Sequence, residues 1–210
     1  FYTAKNPEYG AVFTYNLNNV PKTSKSLRMQ REKRLNADNM DIPFPGYDKL
    51  TDEMNEKPAS IILTIKDTEG NHIRNIKKNA SNGSSRIAWN LRHQSYYPIR
   101  AGRGQANSWF NPSGPYVTPG EYHAEIYLEN NGSVEKLDGP IAFNVKPLRK
   151  GTLQGASYSD YNSFRTRVSN LYISMSKYQD EFNMMKSKID LLDKASLQLE
   201  TFSPEIMKKI

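Results

Sequence analysis

The sequence predicts a mainly β fold: an antiparallel β-sandwich followed by a long C-terminal helical segment resembling a coiled coil. Three observations lead there. Several short stretches before residue 150 alternate apolar and polar residues with a period of two, separated by Gly, Pro and Asn turns. No helical pattern intervenes between most of them, which points to antiparallel rather than parallel pairing. From residue 158 the apolar period changes to three and a half. The expected organisation is therefore a sandwich over 1–150, with a polar insertion at about 18–57, and a helical segment over 151–210.

The first strand is "GAVFTYNL", residues 10–17, where Ala11, Phe13, Tyr15 and Leu17 share one face. The insertion follows. Its "SKSLRMQREKRL" predicts a short exposed helix with Ser24 as N-cap. Pro43, Pro45 and Pro58 exclude a continuous element in what comes next. Strands resume at 60–66 and 72–77 around a turn built from Asp67, Glu69, Gly70 and Asn71. In "GSSRIAWNLRH", Ile87, Trp89 and Leu91 lie on one face, and Trp89 is expected at the centre of the core. Residues 94–119 form a long loop rich in Gly, Pro, Asn and aromatics. "EYHAEIYLENNGSVEKL" is a hairpin turning at Asn130, Asn131 and Gly132, with Tyr122, Ala124, Ile126 and Leu128 on one face. "GPIAFNVKPL" supplies a final strand, for about seven in all.

In the helical segment Tyr161, Phe164, Val168, Leu171, Met175, Tyr178, Phe182, Met185, Ile189 and Leu192 recur at spacings of three and four. Ser196 interrupts this seam. Ser203, Pro204 and Glu205 then read as the start of another helix. A helix this long overhangs a small sandwich, so the seam is expected to meet another helix, in the same chain or from a partner.

Composition narrows the function. The chain has 210 residues, 37% hydrophobic and 11% aromatic, too aromatic for a disordered chain. It has no Cys, which removes disulfides, zinc–thiolate sites and cysteine nucleophiles together. No apolar run approaches the ~18 residues that span a bilayer, so no membrane span is expected. The chain begins at Phe1 rather than Met and is read as a fragment or processed chain, whose targeting signal would lie upstream. The net charge is +7, but the basic run from Lys22 to Arg34 is answered at once by acidic residues from Asp38 to Glu56. That pattern describes a solvated insertion and argues against nucleic-acid binding.

No constellation of catalytic or metal-binding residues emerges. His72, His93 and His123 stand on separate predicted strands or their ends, without ligand spacing. "AGRGQ" lacks the context of a phosphate loop, and "DTEGN" has too few oxygens for calcium. Asn79, Asn82 and Asn131 begin sequons of the kind that arise by chance in such loops. Neither a cofactor nor a metal is expected. The candidate binding surface is the 94–119 loop, where Tyr96, Tyr97, Trp109 and Phe110 sit among Arg100 and Arg103. Aromatics beside arginines stack on sugars or anchor a protein partner, and they also serve simply to pack a loop down.

These segments in this order, "FYTAKNPEYGAVFTYNL", "PASIILTIKDTEGNHIRNI", "RIAWNLR", "GPYVTPGEYHAEIYL" and "GPIAFNVKPL", carry a resemblance. They resemble the C-terminal immunoglobulin-like module that follows the β-propeller in large bacterial sortilin-like or sialidase-repeat proteins, often labelled glycosyl hydrolases. The tryptophan strand followed by "PG-x-Y" is also similar to the immunoglobulin-like domain of flagellar hook-capping proteins. One departure is Asn90, where the pattern usually reads W-D-L-R. The resemblance implies a non-catalytic accessory module of an exported protein, secreted, periplasmic or at the cell surface, beside a propeller domain. Its job would be to brace the propeller or bind a partner. The alternatives are a carbohydrate-binding module using the 94–119 aromatics, and a dimerisation module using the helix seam.

Overall fold

A computed structural model describes residues 3, 4, 6, 9–96, 114–149, 155–198 and 205. The chain divides into two compact units, residues 1–94 with 113–150, and residues 95–112 with 151–210.

The first unit holds β1 (Ala11–Leu17), α1 (Ser24–Ala37), α2 (Tyr47–Asn55), β2 (Ser60–Asp67), β3 (His72–Asn79), β4 (Gly83–Trp89), β5 (Gly120–Asn130) and β6 (Ser133–Val145). All pairings are antiparallel. β1 and β4 form a two-stranded sheet, and β3, β2, β5 and β6 form a four-stranded one in that order. Both sheets contribute to one apolar core. Ile61, Leu63 and Ile65 of β2, Ile87 and Trp89 of β4, and Tyr122 and Ala124 of β5 form its buried centre. Phe13 from β1 and Phe143 from β6 pack against it. These are the alternate residues that the period of two placed on one face.

Trp89 is the hub, as the sequence predicts: its side chain is fully buried. Its ring meets Tyr122 and Phe143 edge-on at centroid distances of 5.7 and 5.9 Å. Burying an indole strands its N–H, and here Nε1 donates to the Arg92 carbonyl at 2.9 Å. The Tyr122 hydroxyl likewise donates to the Thr118 carbonyl at 2.7 Å. β1 enters beside Trp89 through Gly10, whose φ is +117° and whose Cβ, if present, would sit 1.9 Å from the Trp89 carbonyl oxygen. Only glycine fits there.

Several expectations need correction. Helix and strand occur in comparable amounts among the described residues, so the chain is mixed rather than mainly β. Six strands are described, not seven, because residues 133–137 and 141–145 are one strand. The break is a bulge: the register slips opposite Ala124 to Tyr127, and Gly139, at φ +105°, passes close to the Ala124 carbonyl. β4 ends at Trp89, before Leu91, whose backbone turns to φ +57°. Leu91 still packs on the core, and its carbonyl accepts from Val117 N at 2.9 Å.

The insertion contains two helices. Thr23, not Ser24, caps α1, its hydroxyl accepting from Ser26 N at 3.2 Å. α2 forms because Pro43, Pro45 and Pro58 flank it without entering it. The basic and acidic runs meet here. Arg28 grips Glu53 with Nε and Nη2, each at 2.8 Å, and reaches Glu32 with Nη1 at 2.7 Å. The Asn82 side chain anchors the start of the insertion, accepting from Val20 N at 2.7 Å.

The second unit is built around α3 (Tyr158–Ser196), 39 residues long. At about 1.5 Å per residue it runs roughly 58 Å. Ser157 caps it, accepting from Asp160 N at 3.1 Å while its own hydroxyl donates to the Asp160 carboxylate at 2.7 Å. It stops at Ser196, the residue that breaks the apolar seam. No helix among the described residues is long and apolar enough to cross a membrane.

Candidate functional site

α3 presents the most distinctive surface. A heptad seam normally faces the packing partner, and here it faces water. Tyr161, Phe164, Val168, Leu171, Met175, Tyr178, Phe182, Met185, Ile189 and Leu192 are between 47 and 69% exposed. The partly buried stripe is instead Asn162, Arg165, Ser169, Tyr172, Ser176 and Asp180, also at spacings of three and four. Within this unit Tyr96 meets Tyr172 edge-on at 5.5 Å. The helix therefore packs with a polar stripe and leaves its apolar one outside. From Glu181 to Ala195 every residue is exposed. The spacing alone identified the seam, but the second stripe, a polar one, carries no hydropathy signal.

The 94–119 loop is described only in part. Tyr97, Arg100, Arg103, Trp109 and Phe110 lie outside the described residues. At its margins Arg92 stacks over the Tyr116 ring at 3.7 Å and donates to the Gly114 carbonyl at 3.1 Å. Tyr116 also meets Tyr9 edge-on at 6.4 Å. These two side chains hold the loop ends together.

The outer face of the four-stranded sheet carries an ion network that sequence reasoning missed. Glu125, 8% exposed, accepts from Lys66 at 2.6 Å, Lys136 at 2.8 Å and the Tyr127 hydroxyl at 2.8 Å. Lys136 first, then Lys66 and Tyr127, lower its pKa to about 2. The same contact raises Lys66 and Tyr127 above their ordinary ranges. Four residues along β5, Glu129 accepts from Lys77 and Ser60, Lys77 foremost, and its pKa is lowered too. The signal was present as opposite charges at alternate positions of β2, β5 and β6, which becomes visible only once the register is known. Both oxygens of Glu125 are engaged by a lysine or a tyrosine, and Glu129 Oε2 by a lysine and a serine. Such cross-strand pairing of opposite charges ties β2, β5 and β6 together across the sheet.

Between β1 and the β5–β6 bulge lies a half-open cleft of about 240 Å³, lined by Phe13, Tyr15, Leu63, Ile87, Ile126 and Ile141 among others. The Tyr15 hydroxyl is buried without a hydrogen-bond partner among the described residues. His72, His93 and His123 do not converge, and no group of three or more metal-binding side chains assembles among the described residues. The His123 ring lies 3.5 Å from Glu121 and from the Asp67 carbonyl, on the sheet surface.

Compared with known proteins, the chain matches no family model, no curated protein and no solved structure.

Proposed function

We propose that this chain is a non-catalytic interaction module, an immunoglobulin-like β-sandwich whose C-terminal helix docks a polypeptide partner through its apolar seam. The carrying observation is the exposure of all ten seam residues along α3. Ten large apolar side chains, each about half to two thirds exposed, amount to roughly 1,000 Å² of contiguous surface, beyond what soluble monomers leave uncovered. The reading also accounts for the helix itself. An unsupported stretch such as 181–195 is marginally helical in water, and a partner on the seam supplies the missing packing. The order of the tryptophan strand, the hairpins and the PG-x-Y segment supports an accessory module of an exported bacterial propeller protein, with the propeller as its neighbour.

A photo-cross-linking amino acid placed at Met185 tests the docking face in the cells that make the protein. The expected result is a discrete adduct with a polypeptide, absent when the probe is moved to Ser187, which points away from the seam. Equal yields at the two positions, or none at Met185, overturn the reading.

A further inference from the structure

We infer that the polypeptide docked on the seam is a second copy of this chain, its α3 parallel and in register. The inference rests on the docking-face reading above and adds the identity and orientation of the partner. With Val168 and Phe182 at a positions, Leu171 and Met185 fall at d, and the flanking g and e positions carry charges. In a parallel pair each g residue faces the e residue five positions on in the other chain.

In register, Glu181 faces Lys186 of the second copy and Lys188 faces Asp193. All four are exposed and available for pairing. Symmetry doubles both contacts. No like charges meet. A slip of one heptad reverses the pattern: Glu181 then faces Asp193, and Lys188 faces Lys186. Flanking charges that attract in one register and repel in the next specify a self-pairing helix. The area agrees as well. Roughly 1,000 Å² per helix exceeds the ~800 Å² per partner of a standard stable interface. Pairing also covers the seam over 181–195, where every residue is exposed.

The chain contains no cysteine, so single substitutions report cleanly. Val168→Cys and Met185→Cys, introduced separately into the 210-residue chain, should each cross-link to its own copy through a short bismaleimide. Sedimentation equilibrium should give twice 24.0 kDa. Glu181→Lys should weaken the dimer about tenfold, and adding Lys186→Glu should restore it. Positions 181 and 186 do not face each other within one helix, so the rescue reads a contact between chains. Cross-links only between Val168→Cys and Met185→Cys would mean antiparallel helices and overturn the orientation. A monomer at every concentration overturns the second copy. If the Met185 photo-adduct with another polypeptide persists in that case, the docking reading survives alone. If it too is missing, both fall.

Discussion

Replacing Glu125 with Gln removes one negative charge from beneath two lysines and keeps the shape of the side chain. Its carboxyl is lowered from 4.5 to about 2 by Lys136, Lys66 and Tyr127. At ~1.4 kcal/mol per unit the ceiling on its contribution is ~3 kcal/mol. Lys66 and Lys136 are themselves 33 and 40% exposed at the side chain, and solvent screening brings the expected loss to about 2 kcal/mol at neutral pH. The sign follows from the direction of the shift. A carboxyl whose folded pKa lies below its unfolded one stabilises the fold above about pH 5, and that stabilisation drains away as pH falls towards 2. Urea unfolding of the parent and Glu125→Gln between pH 7 and pH 2.5 measures it. The two curves should stand about 2 kcal/mol apart at pH 7, with the gap more than halved by pH 3. A gap that stays constant down to pH 3 would refute the network as the source of the stabilisation.

Other outcomes follow from the same geometry. Trp89→Ala should cost roughly 3–5 kcal/mol in thermal or urea unfolding, because it empties the centre of the core; a variant that melts like the parent would place the indole elsewhere. Gly139→Ala should destabilise by about 1–3 kcal/mol, since the new Cβ sits 2.6 Å from the Ala124 carbonyl at φ +105°; unchanged stability would mean that the bulge is not held as described. Tyr127 should ionise above the ordinary tyrosine range because it donates to the Glu125 carboxylate, and the ultraviolet titration difference between the parent and Tyr127→Phe reads this directly. Diluting the parent below its dimer affinity should lower the helical circular-dichroism signal of 181–195 while the near-ultraviolet signal of Trp89 stays; a helical signal independent of concentration contradicts a seam stabilised by association.

What the sequence alone determines here is periodic. The period of two marked the inward residues of β1, β2, β4 and β5, and so the Trp89 core, because strand side chains alternate strictly and burial selects one face. The three–four spacing gave the seam and its interruption at Ser196, while the end of α3 at that residue came from the structure. Register and long-range approach belonged to the tertiary structure. The fusion of two predicted strands into β6 depends on Gly139 passing the Ala124 carbonyl, a contact between residues no local window joins. The Glu125 network needs β5 aligned with β2 on one side and β6 on the other before three separate charges become one site. α2 sits between prolines that read locally as breakers throughout. Which stripe of α3 turns inward was likewise undecidable from hydropathy, since the half-buried Asn162, Arg165 and Ser169 are polar and leave no apolar period to read. Hydrophobic periodicity is a one-body property, written at each position along the chain. Register, bulges and polar pairing are two-body properties, and they exist only once the chain has folded.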